Sequence, residues 1–283
     1  MNSIRRNYEL ALEAFEETTS DLVPKEKRQE VPERTPPQLA PIPLDKILAK
    51  FGNLPQDALF LGAAYDGLPI LLNLNDPTPG PILIAGDQDS GKTALLQRIA
   101  QAIEITHASA DLQFGVITDH PGEWEGVEKS KNCMGIFPTF HKSADDFILS
   151  LADWAHNNHN EKRFALLLID NLEAVMEMSD FVQQNLRWLL LRGPNRRVWP
   201  FITLNAGRSG KVLPWLDAFR TRLLGAVRNT VNAEAIVPTQ GAGLHLLEPG
   251  LEFVLNENRQ WVKFWIPPIS PPYSPRPQAG YKQ

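Results

Sequence analysis

The amino-acid sequence predicts an α/β fold: a mainly parallel sheet with helices on both faces and an antiparallel edge hairpin. Three observations predict it. Five short apolar runs alternate with segments of helical spacing, the pattern of strand–helix–strand units. One run leads through a glycine-bearing loop straight into a helix. Two later β-type runs, Glu252–Leu255 and Gln260–Trp265, are separated only by Asn256-Glu-Asn-Arg259, a hairpin signal.

The elements follow in order. Residues 1–23 read as an amphipathic helix, with Ile4, Tyr8, Leu12, Phe15 and Leu22 near one face and glutamates on the other. Residues 24–43 hold six prolines among charged and polar residues, so they form a linker. The folded domain is expected over 44–267. Its apolar runs are Pro81–Ala85, Phe114–Thr118, Phe164–Ile169, Val198–Leu204 and Leu223–Val227. Helical spacing covers 92–104, 143–157, 179–191 and 230–237, with Ser143 and Asp146 as a capping box at the start of the second. Residues 268–283 form a proline-rich tail that is extended in expectation. The N-terminal helix and this tail are candidate contacts for a protein partner.

Composition narrows the class. With 43% hydrophobic and 22% charged residues the 283-residue chain can bury a core, which excludes wholesale disorder. A single cysteine, Cys133, excludes an internal disulfide framework. The longest apolar run is six residues, too short to span a bilayer as a helix, and the glutamate-rich N-terminus is no signal peptide. A cytoplasmic protein without membrane insertion is expected. The net charge is −5, but Arg187–Arg228 holds nine basic residues and one acid, Asp217, so that stretch is +8 and the remainder −13. A polyanion such as duplex DNA, or an acidic neighbour, is the expected companion of that stretch.

The chemistry is concentrated in Gly86-Asp87-Gln88-Asp89-Ser90-Gly91-Lys92-Thr93-Ala94, which fits the phosphate-loop pattern G-x-x-x-x-G-K-[ST]. It follows an apolar strand and opens a helix, the context the pattern requires. Glycines let successive backbone N–H groups turn into one concavity, and the helix N-terminus adds partial positive charge. Lys92 is placed to reach the β- and γ-phosphates of ATP, and the Thr93 hydroxyl to ligate Mg²⁺. Phe164–Ile169 runs into Asp170, the second expected Mg²⁺ ligand. The next residue is Asn171, whose amide orients water but takes no proton. Glu173, two positions on, is the alternative carboxylate. Val198–Leu204 ends in Asn205, a candidate γ-phosphate contact preferred over Thr203. The assigned catalytic set is Lys92, Asp170, Asn171, Glu173 and Asn205. Arg192, Arg196 and Arg197 are candidate arginine fingers toward a neighbouring copy. His156 and His159 have helical spacing but no acidic partners, so no metal is assigned to them.

The order of these pieces resembles the FtsK/SpoIIIE ATPase domain of the FtsK–HerA superfamily. Leu61–Leu74 looks like the glycine-containing strand pair before the phosphate loop. Val116-Ile-Thr-Asp-His-Pro121 is similar to the strand ending in Ile-Asp-Pro. Gln240–Phe253 looks like the late Gly-Ala, Leu-Leu-x-x-Gly segment. The resemblance implies a P-loop NTPase of RecA-like fold, ATP and Mg²⁺ as cofactors, and a homo-oligomeric ring threading duplex DNA. Asn171 departs from the family's usual Glu. Two readings follow: a DNA-translocase-like ATPase with weak hydrolysis, or a nucleotide-binding assembly protein with little turnover. If a carboxylate at 171 is what is missing, Asn171→Glu should speed turnover.

Overall fold

The computed structural model describes residues 42–52, 54–158, 161–237, 242–257 and 260–268. The expected helix over 1–23, nearly all of the linker, and the tail from 269 lie outside the described residues.

The described residues form one ten-stranded sheet in the order β2-β1-β10-β9-β8-β3-β7-β6-β4-β5. Its strands are β1 (Ala58–Ala64), β2 (Pro69–Asn73), β3 (Ile82–Gly86), β4 (Leu112–Thr118) and β5 (Cys133–Pro138). They continue with β6 (Phe164–Asp170), β7 (Val198–Asn205), β8 (Thr221–Leu224), β9 (Glu252–Glu257) and β10 (Gln260–Trp265). From β8 to β5 every neighbouring pair is parallel. The predicted class is therefore present.

The parallel strands read as continuous apolar runs because both faces are covered. Leu167 and Ile169 of β6 pack with Leu83 of β3 and Ile202 and Leu204 of β7 against Ile148 and Leu151 of the helix Lys142–Asn157. Leu186 and Leu189 of the helix Asp180–Arg192 close the same layer. The alternate residues Leu166 and Leu168 turn the other way. They join Ile82, Ile84 and Phe201 against Leu95, Leu96, Ile99 and Ile103 of the helix Lys92–Thr106. The period-two alternation of each strand thus serves two separate layers.

The antiparallel edge is wider than one hairpin. The β9–β10 hairpin pairs with β8 on one side and with β1 on the other, and β2 closes the row. Gly62 is what allows β1 to lie so close: a Cβ there would stand 2.5 Å from Phe264 Cδ2 and 2.9 Å from the Trp265 carbonyl oxygen. A helix over Leu44–Phe51, not anticipated from sequence, seals this flank with Leu44, Ile47 and Leu48 on Phe60 and Leu71. Leu44 N–H donates to the Pro268 carbonyl at 3.0 Å, so the two described ends of the chain meet.

Three local expectations are corrected. β5 had no sequence signal: each of its residues is only half-buried, so an edge strand with Gly135 and Pro138 shows no apolar run. The Ser143–Asp146 capping box is not the cap. His141 precedes the helix, and its ring nitrogen accepts from Ser143 N–H at 3.2 Å. The run Leu223–Val227 leaves the sheet after Leu224, because Gly225 to Arg228 turn across the phosphate loop.

Gly62→Val should leave the parallel core intact but loosen the β1–β10 seam. Overpacking of this kind costs roughly 1–3 kcal/mol. Equilibrium denaturation should show a loss in that range, and an unchanged midpoint would remove the close-approach argument.

Candidate nucleotide-binding site

The phosphate loop leaves β3 at Gly86 and ends at Gly91, where the helix Lys92–Thr106 begins. Gly91 has φ 90°, and a Cβ there would lie 2.7 Å from Gly250 Cα, so no side chain fits. Asp89 also adopts a left-handed backbone, with φ 61°. The loop is pinned from outside. Asp87 N–H donates to the Ala226 carbonyl at 2.9 Å, and Arg228 N–H donates to Asp87 Oδ2 at 2.8 Å. The segment after β8 therefore braces the loop against β3.

A cavity of about 620 Å³ opens above the C-terminal ends of the parallel strands. Gln88, Asp89, Gly91, Lys92, Thr93 and Ala94 line its loop side. Of the nine expected loop residues these six face the space, whereas Gly86, Asp87 and Ser90 form the turn beneath it. The Ser90 hydroxyl is buried without a hydrogen-bond partner. Lys92 Nζ donates to the Asp87 carbonyl oxygen at 2.6 Å. Burial lowers its pKa, against the opposing pull of Asp170, Asp87, Asp89 and Glu173.

Opposite the loop, β6 ends in Asp170. Thr93 Oγ1 donates to it, 2.9 Å from Oδ2 and 3.1 Å from Oδ1, and Thr203 Oγ1 of β7 donates to Oδ1 at 2.9 Å. Burial pushes the carboxyl upward; the two threonine hydrogen bonds pull it back without overcoming that, and the charge of Glu123 adds to the rise. The donor set is a hydroxyl and a carboxylate beside the phosphate loop and Lys92. It suits Mg²⁺, which binds proteins through one or two oxygens and takes the rest from phosphates and water. Among the described residues no three His, Cys, Asp or Glu side chains are placed to hold a metal ion together, so a metal here would need that shared coordination.

The remaining assigned residues also line the cavity. Asn171 has φ 114°, and its Oδ1 accepts from Glu173 N–H while Nδ2 donates to Asp119 Oδ2, each at 3.0 Å. Glu173 carries an ion pair with Arg208 at 2.8 Å. Asn205 lines the cavity, but its Oδ1 accepts from Gly207 N–H and caps the next turn. Thr203, passed over for Asn205, is the β7 side chain that touches Asp170. Sequence reasoning missed Asp119, His120, Glu123 and Arg208, all of which line the cavity. The first two were visible only as part of the strand end Val116–Pro121.

The finger candidates lie elsewhere. Arg196 and Arg197 precede β7, at the opposite end of that strand from Asn205. Arg197 covers the Phe164 ring and donates to the Lys162 carbonyl at 3.0 Å, and Arg196 reaches the Asn158 carbonyl. Arg192 is exposed at the end of its helix. Nor does the basic stretch form one face. Arg222 is turned inward onto the carbonyls of Leu216 and Ile236, and Arg187 stacks on Trp215. His156 stacks on Trp188, and His159 lies outside the described residues. Burial raises the Cys133 thiol pKa, outweighing the backbone hydrogen bond at Gly135 that lowers it.

No family profile matches the chain, and no curated protein sequence does. Solved structures do. The cytoplasmic domain of the Thermomonospora curvata type VII secretion ATPase EccC superposes with TM-score 0.62 at 17% identity, covering 77% of this chain and 28% of that one. ATPases 2 and 3 of EssC from Geobacillus thermodenitrificans give TM-score 0.63 at 12% identity, with 77% and 46% coverage. The pCW3 conjugation coupling protein TcpA, solved with ATPγS, gives 0.59 at 17%, with 75% and 66% coverage. The chain thus spans between 28% and 66% of the length of these proteins. It shares the α/β fold of these solved proteins, the fold class that the sequence predicts. Among the described residues no helix is long and apolar enough to cross a membrane.

Asp170 offers a test of the site without ligand. A carboxyl whose pKa is higher folded than unfolded holds its proton more tightly when folded. Its ionised form costs stability at pH values above the unfolded pKa, and that cost fades as pH falls through the folded pKa. Asp170→Asn should therefore raise the melting temperature of the nucleotide-free protein at neutral pH, with the difference shrinking in acid. A lower melting temperature at neutral pH would contradict the burial argument.

Proposed function

We propose that this domain binds ATP with Mg²⁺ in the cavity above the parallel strands and hydrolyses it slowly. One observation carries the reading: Lys92 and Thr93, at the start of the loop-borne helix, face Asp170 across a single cavity, with Thr93 already on that carboxylate. Lys92 would take the β- and γ-phosphates in place of the Asp87 carbonyl. Thr93 and Asp170 would hold Mg²⁺, which supplies charge neutralisation at the transferring phosphoryl group. Loop N–H groups at the helix N-terminus add fixed positive potential. The named neighbours EccC and EssC are ATPases, and TcpA holds an ATP analogue, which supports the same chemistry here.

Turnover is expected to be slow because the residue after Asp170 is Asn171 in place of the family's glutamate, and Glu173 is tied to Arg208, so a carboxylate that activates water has to come from another strand. This favours the second reading from sequence, in which bound nucleotide sets a conformation or an assembly. A ring of copies acting on duplex DNA is the fuller form of the family resemblance. In that form the finger role falls to Arg192, since Arg196 and Arg197 are engaged with their own chain. The basic stretch does not present one face to DNA, because Arg222 is turned onto backbone carbonyls and Arg187 onto Trp215.

Lys92→Ala should abolish ATP binding at micromolar nucleotide in calorimetry while the protein still melts cooperatively. Unchanged affinity would sink the site assignment. ATP turnover, assayed with and without duplex DNA, should be slow in both conditions. Strong stimulation by DNA would favour the motor reading instead.

A further inference from the structure

The strand that neighbours β6 supplies a carboxylate that the sequence pattern does not reveal. β4 and β6 run parallel with Thr118 opposite Asp170. The next residues, Asp119 and Asn171, therefore leave the sheet side by side into the same cavity. Asn171 Nδ2 donates to Asp119 Oδ2 at 3.0 Å, and Asn171 Oδ1 accepts from Glu173 N–H at 3.0 Å. Both ends of the amide are fixed. The Asn171 backbone sits at φ 114°, a region that side-chain-bearing residues rarely occupy and that concentrates at functional sites. A strained residue is thus held where its amide grips a carboxylate from the adjacent strand.

The other acids of the cavity are placed less well. The Glu173 carboxylate is 11% exposed and ion-paired to Arg208 at 2.8 Å, so its charge is compensated and its direction set by the arginine. Glu123 projects from an exposed turn whose backbone is held, its carbonyl accepting from Gln97 and its N–H donating to the His120 carbonyl, with no hydrogen bond to its carboxylate among the described residues. Asp119 is half-buried and has no cation at ion-pair distance among the described residues; its hydrogen bond comes from a neutral amide. An amide donor to one carboxylate oxygen orients the group and leaves the other oxygen to accept a hydrogen bond from water.

We propose that Asp119 is the catalytic carboxylate for ATP hydrolysis and that Asn171 is its positioning residue. The assignment rests on the nucleotide reading of this cavity. Water bonded to Asp119 attacks the γ-phosphorus. The new P–O bond forms as the bond from that phosphorus to the β,γ-bridging oxygen breaks, its electron pair stays with ADP, and the proton of the water passes to the Asp119 carboxylate. Asn171 is then a working part of the site and not a lost glutamate.

The test uses the full chain, with calorimetry of ATP and Mg²⁺ alongside steady-state turnover. Asp119→Asn should bind ATP within about threefold of wild type yet lose turnover by about 10²-fold or more, the usual worth of general-base help. Asn171→Glu deletes the amide donor and sets two carboxylates together, so it should lower kcat with KM for ATP little changed. Three results would overturn the assignment: Asp119→Asn turning over like wild type, Asn171→Glu accelerating turnover, or wild type binding ATP with no turnover at all. A wild type that fails to bind ATP would overturn the nucleotide reading itself, and the assignment with it.

Discussion

Asp170 sits at the end of a buried strand with its carboxylate held by two threonine hydroxyls, Thr93 from the phosphate-loop helix and Thr203 from β7. Burying a carboxylate is costly unless it is hydrogen-bonded or meets a cation. The threonines meet the first need, and they tie three separate elements to one point. β7 stands between β3 and β6 and supplies Thr203, while the loop that leaves β3 turns Thr93 onto the same carboxylate. Burial still raises the carboxyl's pKa, so the site is built at some cost to the empty protein. That unfavourable charge is what a bound divalent cation would relieve.

The sheet order converts this local arrangement into a site. Because β3, β7, β6 and β4 are parallel neighbours, their C-terminal ends open on one edge. Each contributes a polar residue there: the loop, Thr203 and Asn205, Asp170 and Asn171, and Asp119. The antiparallel flank has a different task. β9 and β10 carry the sheet across to β1, and the turn before β9 brings Gly250 against Gly91, so the flank limits the shape of the phosphate loop. A second cluster steadies that turn. Glu252 accepts from Tyr65 and from the Glu248 N–H, and pairs with Lys263 at 2.8 Å.

Much of this was legible in the sequence, for physical reasons. Parallel strands covered on both faces must be apolar throughout, and β3, β4, β6 and β7 stand out for that reason. The phosphate loop is legible because few residue types satisfy its backbone. What stayed hidden depended on partners distant in the chain. Asp119 gained its place only through β4–β6 register, and Arg208 only through a turn that folds back onto Glu173. β5 stayed hidden because an edge strand need not be apolar. His141 as a cap was hidden because Ser143 offered a more familiar one. Alternation puts Thr203 and Asn205 on the same face, and it is the β6–β7 register, Ile169 opposite Ile202, that sets Thr203 and not Asn205 beside Asp170.

The most direct measurement is the heat of ATP titrated into the wild-type chain, first with Mg²⁺ and then with the cation chelated. A cavity that joins Lys92 to the Thr93–Asp170 pair predicts saturable binding of one nucleotide per chain, weakened when Mg²⁺ is removed. Absence of binding, or binding indifferent to Mg²⁺, would contradict the account.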